Sequence, residues 1–465
     1  MGRWTTTPAT DLGTALLRRG AHGYEEARSA AVWNDRKPDR FPAALVRAAS
    51  EDDVVRAVAH ARERGLRVTV RSGGHNWSGA PLRDDALLLD VSGLRDLALT
   101  PGSDGGPATA TVGPGATGRD LVAALTPQHL AFPVGHCPSV ALGGFLLSGG
   151  LGWNSRDWGV SCADVREIRV VTAAGRTVDC SEREHPDLFW AARGAGPGFC
   201  AAVTRFRLAL HPHPASIMTT RYTFRIAETP VLTGWAEPVV RGLPPYVETS
   251  FVLTSWGPAT EAAPAGPRIT LSATAFAASA EQARQALAPL AEGPLVGLAV
   301  DEQPPVATTY AGLHEGAGSL WPPGHRYAAD TLWSREGYRT QLSRIADTVA
   351  HAPSDRSLVL APVKPVSEDP ALLRNMAFAP LGASYLVAYA VWDDPDEDTA
   401  QGHWLQDTMA AADPDGEGLH YIAETDLEAG PARARRCYPP ATWEHLQAVR
   451  ERWDPEGRFH SYLAP

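Results

Sequence analysis

Four glycine-rich turns crowd into the first 200 residues of this chain, at 73–79, 113–118, 143–152 and 194–198. Glycine has no Cβ, so its backbone N–H groups can turn toward an anion and approach it closely. One such turn could simply serve a tight bend. Four together, each after a strand-like run, imply one long anionic ligand lying across several strand ends. A dinucleotide fits that shape better than a single phosphate. The turns contain no GxxxxGK[ST], which argues against a P-loop site.

The elements between the turns can be placed. Ser50, with Asp53 three positions on, caps a helix whose apolar face is Val54, Val55, Val58 and Ala61, and Gly65 closes it. "LRVTVR" then runs as a strand into "RSGGHNWSG" (71–79). "ALLLDVS" (86–92), "TATVG" (109–113) and "AAVTRFRLAL" (201–210) read as strands, "GRDLVAAL" (118–125) as a helix, and residues 165–180 as a hairpin around Ala174-Gly175. After "HPHPAS", near residue 212, strands such as "TRYTFRI", "RITLSATAF" and "SYLVAYAVW" alternate with amphipathic helices to about residue 430. That pattern predicts an α+β domain with a mostly antiparallel sheet. "TWEHLQAVRERWDPEGRF" (442–459) predicts a last helix, stopped by Asp454-Pro455 and Gly457.

At 465 residues the chain exceeds one compact core. The net charge of −11, without any block of lysine and arginine, argues against a nucleic-acid groove or an anionic membrane as partner. The amino terminus lacks a secretory pattern and no run approaches a membrane span, which predicts a cytoplasmic protein. Five cysteines, at 137, 162, 180, 200 and 437, show neither CxxC nor zinc spacing, so no metal site is expected. "NWS" (76–78) matches a glycosylation sequon but falls inside the glycine loop, where it is expected to be unused.

Two residues in these loops can do chemistry. His75, directly after two glycines and beside Arg71, would set a ring nitrogen against a bound cofactor. Cys137, in "GHCPSV", offers a thiol of similar use. As a pair they stand out from ordinary loop histidines and core cysteines.

"VRSGGHNWSG", "GHCPSVALGGFLLSGGLGWNSRDWGVSCADV", "DLFWAARGAGPGFCAAVT" and "YPPATWEHLQAVRERWDPEGRFHSYL" resemble, in order, the berberine-bridge-enzyme-like flavoproteins of the vanillyl-alcohol-oxidase, or PCMH-type FAD-binding, superfamily. The resemblance implies a two-subdomain FAD-binding domain over 1–212, a substrate-binding domain over 213–430, and a C-terminal segment over 431–465 that returns to the FAD-binding domain. It implies covalent FAD, with His75 bonded to the flavin 8α-methyl and Cys137 to flavin C6. The cofactor-binding residues it implies are Arg71, Ser72, Gly73, Gly74, Gly135, His136, Pro138, Ser139, Val140, Gly143, Gly144, Ser148, Gly149, Gly150, Gly152, Val203 and Tyr462. Stretches 71–75 and 143–152 would cradle the pyrophosphate, and Val203 would lie near the adenosine. Ala141 and Ser148 replace family glycines, and Tyr462 stands where the family has asparagine.

The family's "YxNY" strand, whose second tyrosine deprotonates an alcohol, has its nearest match in "YIAE" (421–424). Tyr421, Glu424 and Tyr389 are therefore the catalytic base candidates, with Tyr462 a further possibility. A tyrosine base needs its pKa of about 10 lowered by cations or hydrogen bonds. The activity implied is hydride transfer to flavin N5 from an alcohol or hemiacetal carbon of a sugar-like or natural-product substrate, with O2 as the second partner and H2O2 as by-product. Oxidation of a C–N bond on the same scaffold is the alternative, and a flavin-binding protein that has lost turnover is the third reading.

Overall fold

Ser50 opens the first long helix in the manner its spacing to Asp53 predicts. The computed structural model describes residues 12, 15–102, 106–363, 374–378, 382–430 and 432–463. In it the Ser50 side chain accepts the Asp53 N–H, the Asp53 carboxylate accepts the Ser50 N–H, and the helix Glu51–Glu63 follows. Such a cap is worth about 1 kcal/mol. Val54, Ala57, Val58 and Ala61 are fully buried between two sheets, against Val46, Leu87 and Leu89 on one side and Val171 and Ala202 on the other.

The first of those sheets has four strands in the order Leu16–Arg18, Ala44–Arg47, Leu87–Asp90, Val68–Arg71. The last three are parallel, so the helix is the crossover from Ala44–Arg47 to Val68–Arg71. The second sheet is antiparallel, in the order Leu97–Thr100, Thr109–Val112, Ala201–Ala209, Val165–Thr172, Thr177–Cys180. Its last two strands form the expected hairpin, with Gly175 at φ +74° in the turn.

The third large sheet has seven strands, all antiparallel: Asp301–Thr308, Ser216–Arg225, Arg268–Ala277, Val247–Thr254, Leu358–Pro362, Ser384–Trp392, Arg326–Ser334. Side chains alternate across it. Leu386, Ala388 and Ala390 pack against the helices Thr229–Gly242, Ala280–Ala291, Tyr338–Ala350 and Asp398–Ala412. Tyr385, Val387 and Tyr389 face the other way, into an aromatic cluster with Tyr327, Trp333 and Tyr421. The fold is thus α+β, with helices on one face of the large sheet and a cavity on the other.

After the helix Pro440–Trp453 the chain returns to the first sheet: the Val68 N–H donates to Arg458 O (2.7 Å) and the His460 N–H to Val68 O (2.8 Å). Among the described residues no helix is long and apolar enough to cross a membrane, and no cluster of ligating side chains could hold a metal.

Candidate active site

A large cavity lies where the three sheets meet, with about 1870 Å³ of free space counted to its open mouth. Val68, Thr69 and Val70 line it from the first sheet, Ala201 and Val203 from the second, and Leu360, Tyr385, Val387 and Tyr389 from the third.

The loop after Val68–Arg71 is set by its two glycines. Gly74 has φ +75°, and a Cβ there would overlap the Ala31 carbonyl oxygen. That close approach lets the Trp33 N–H donate to Gly74 O (2.9 Å) and lays the Trp33 ring on His75, centroids 5.1 Å apart. At Gly73 a Cβ would press on Ala141 at 3.0 Å, so this loop sits against the loop that carries Cys137. The Ser139 hydroxyl lies 3.1 Å from His75 Nε2 and 3.4 Å from Cys137 Sγ. One hydroxyl thus joins the two proposed attachment residues.

His75 opens one side to the cavity, yet protein surrounds it densely enough to hold its pKa down at about 4, burial first and the Arg71 cation second. Its imidazole is neutral at pH 7 and keeps the lone pair a nucleophile needs. Cys137 is the one cysteine of the five that is not buried. Burial pushes the thiols of Cys162, Cys180 and Cys200 up to about 12, which makes them inert fillers.

The glycine turns divide their labour. Gly73, Gly74, Gly135, Gly143, Gly144 and Gly196 line the cavity, whereas the 113–118 turn contributes only Pro114. Nothing of the protein lies within 4 Å of a Cβ built on Gly144, so the space beside it belongs to the cavity. Gly144→Leu is expected to fold with the far-ultraviolet circular dichroism of the wild type while the protein purifies without yellow colour. A fully coloured variant would show that the space is not needed by the cofactor.

Ser72, His136, Val140 and Ser148 are also in the wall, whereas Pro138, Ser139, Gly149, Gly150 and Gly152 do not line it. Arg71 turns back to Asp90 (3.1 Å). Tyr462 lies outside the cavity: its ring packs beneath Gly198 and its hydroxyl donates to Ala195 O (2.9 Å).

"YIAE" is a turn rather than a strand. The Glu424 and Thr425 N–H groups both donate to Tyr421 O, closing a tight bend. Asp330, from the large sheet, fastens the bend by accepting the Thr425 hydroxyl (2.8 Å) and the Asp426 N–H (3.2 Å), and is itself paired with Arg433 (3.0 Å). The bend sends Tyr421 and Glu424 into the cavity together. Tyr421 Oη accepts the Gly150 N–H (3.1 Å). Tyr385 and Tyr389 each donate to Glu424, one to each carboxylate oxygen, both at 2.9 Å. Both carboxylate oxygens are thus held by phenol hydroxyls.

Burial, and then the Glu424 charge, raises the pKa of Tyr385, Tyr389 and Tyr421 above the ordinary phenol range. The lowering that a tyrosine base requires is therefore reversed here. A path of ring contacts links this carboxylate to His75: Trp33 on His75, Trp77 on Trp33 (5.7 Å), and Tyr389 on Trp77 (5.5 Å).

Toward the first sheet the wall is cationic. The buried Arg83 guanidinium donates to Ala80 O and Ser461 O, with no carboxylate in an ion pair with it among the described residues. Burial, then Arg40 and Arg67, bring its pKa down to about 10, and His460 beside it falls to about 3. An uncompensated buried cation favours an anion. These walls suit FAD: an open backbone cradle at Gly144, a cationic side for phosphates, and a neutral imidazole beside a thiol. Sequence reasoning missed Arg83, Tyr385, Trp33 and Trp321. Only Tyr385 had a legible signal, sharing a strand face with Tyr389 four positions on.

Residues 42–181 match the model of an FAD binding domain. The chain is 31% identical over 448 residues, 95% of each protein, to the FAD-linked oxidoreductase ptmO of Penicillium ochrochloron. Its fold is similar to that of BBE-like 1 from Physcomitrella patens (TM-score 0.81, 19% identity, 98% of each chain). It is equally similar to 6-hydroxy-D-nicotine oxidase from Arthrobacter nicotinovorans (TM-score 0.82, 22% identity, 98% of each chain). With a relative of that identity over nearly its full length, and the cavity walls suited to the same cofactor, the chain belongs to the berberine-bridge-enzyme-like, PCMH-type FAD-linked oxidoreductases.

Proposed function

We propose that the enzyme oxidises a carbon bearing oxygen, with Glu424 as the base and with FAD bonded to both His75 and Cys137. The observation that carries this is one cavity holding a neutral histidine and a thiol bridged by Ser139, and a carboxylate gripped by two tyrosines. FAD bound there supplies the acceptor for the hydride leaving the C–H bond, and O2 takes the electrons onward as H2O2. Glu424 receives the hydroxyl proton on a carboxylate oxygen, so an alcohol becomes a ketone or aldehyde and a hemiacetal becomes a lactone. Tyr385 and Tyr389 fix the carboxylate and stabilise its charge until the proton arrives. On this reading residues 1–212 bind the cofactor, 213–430 bind the substrate, and 431–465 return to the cofactor side, in keeping with the hydrogen bonds from residues 458–460 to Val68.

Oxidation at a C–N bond is the second reading. Among the described residues Glu424 is the one acidic side chain in the wall and no lysine lines it, so an amine would find there a group to take its proton before oxidation. Anaerobic mixing with panels of secondary alcohols and of tertiary amines separates the two. Bleaching of the flavin by alcohols is expected; bleaching by amines alone would overturn the C–O assignment.

A further inference from the structure

Cys137 and Ser139 come together in a turn whose backbone is pinned from outside. The Val140 N–H donates to Cys137 O (3.2 Å). The start of the helix Gly118–Leu125 holds the same stretch, Gly118 N–H to Val140 O (3.0 Å) and Arg119 N–H to Pro138 O (3.1 Å). The turn leaves the Ser139 hydroxyl between two nucleophiles, 3.1 Å from His75 Nε2 and 3.4 Å from Cys137 Sγ. Among the described residues neither of these side chains is hydrogen-bonded to any residue but Ser139. Ser139 thus occupies Nε2 and leaves Nδ1 as the ring nitrogen free to bond. It is itself exposed, whereas His75 and Cys137 are only partly so.

A proton has to leave each anchor as it bonds to the cofactor. When Nδ1 of a neutral imidazole forms a bond, the ring becomes a cation unless Nε2 gives up its proton. Burial and the Arg71 cation, which hold the His75 pKa down at about 4, oppose that charge. A thiol must likewise lose its proton, because the thiolate is the nucleophile.

We infer that the Ser139 hydroxyl is the proton carrier for flavin attachment, taking the proton from His75 Nε2 and from Cys137 Sγ as each bonds to the cofactor, and passing it to solvent. The inference rests on the reading of both residues as covalent anchors and assigns the group that lets them react. At His75 the Nε2–H bond and a methyl C–H bond of the flavin break, and a C–N bond forms at Nδ1. At Cys137 the S–H bond and a ring C–H bond break, and a C–S bond forms. Each reaction releases two protons and two electrons, which O2 takes up as H2O2, and one of the two protons is the one Ser139 carries. A hydroxyl accepts one proton while donating another, so it stays neutral throughout.

Ser139→Thr and Ser139→Val have nearly the same shape and differ by the hydroxyl. The full chain is translated in vitro with FAD present, translation is stopped, and flavin fluorescence of the acid-denatured full-length band is followed over time. A Cys137→Ala background reads the bond to His75 alone, and a His75→Ala background the bond to Cys137 alone. In both, Ser139→Thr is expected to attach flavin as fast as the native serine. Ser139→Val is expected to be about 10²-fold slower, the loss of one positioned proton-transfer group. FAD bound before denaturation should be equal in the two, since Ser139 does not line the cavity.

Equal rates for the threonine and valine variants, in a chain that attaches flavin through both residues, would overturn the role of Ser139 and leave the anchors standing. Slowing in one background alone would overturn the shared role, and loss of bound FAD from the valine variant would make Ser139 a binding residue instead. The absence of acid-stable flavin from the unsubstituted chain would overturn the anchors and the carrier together. Should Ser139→Val fail to fold, Ser139→Ala against the unsubstituted chain makes the same comparison.

Discussion

Glu424→Gln is expected to slow reduction of the bound flavin by substrate about 10²–10⁴-fold, the usual contribution of a positioned general base. Glutamine keeps the size and one acceptor oxygen, so the bend at 421–425 and the flavin content should stay as they are. Only the proton acceptor is removed. Anaerobic stopped-flow absorbance of the flavin is the measurement, because it isolates the step before O2 reacts. Tyr385→Phe and Tyr389→Phe each take away one of the two hydrogen bonds to the carboxylate. Each is worth about 1.5–3 kcal/mol for a bond to a charged group, so their effects should be smaller. If Tyr389→Phe or Tyr421→Phe were the more damaging change and Glu424→Gln left the rate intact, the base would be a phenol after all. The raised phenol pKa values argue the other way.

The second large effect concerns the cofactor. Acid-precipitated wild-type protein should form a yellow pellet, and His75→Ala and Cys137→Ala should each keep one bond and some colour. The double variant should release all of its flavin into the supernatant. The neutral state of His75 is what makes attachment at pH 7 expected, since an imidazole with a pKa of about 4 stays unprotonated there. Colour washing out of the wild-type pellet would sink covalent attachment altogether. Colour lost from His75→Ala alone, with Cys137→Ala unaffected, would reduce the linkage to one bond.

Local chemistry in the sequence was enough for the cofactor side and too little for the substrate side. Ser50 with Asp53, Gly65 and Ala174-Gly175 act on their immediate neighbours, so their consequences can be read in a line. The strand Ser384–Trp392 is buried on both faces, so its apolar run marks no cavity face, and only the four-residue spacing from Tyr389 set Tyr385 apart. The bend at 421–425 is fixed by Asp330 and Thr331 from a distant strand, and no pattern within "YIAE" announces that hold. Tyr462 was placed by motif position alone, yet its ring fills the space beneath Gly198. Trp321 is one tryptophan among 14, and its place in the cavity wall exists only in three dimensions.

The return of the tail to Val68 also bears on how the enzyme is made. Phe459, His460 and Ser461 are part of the cavity wall, and Ser461 O holds Arg83 in place. While the ribosome is still copying the helix Pro440–Trp453, the glycine loops, His75 and Cys137 already exist, but the wall behind the cofactor does not. That wall closes only when residues 459–461 dock beside the strand Val68–Arg71, made long before them.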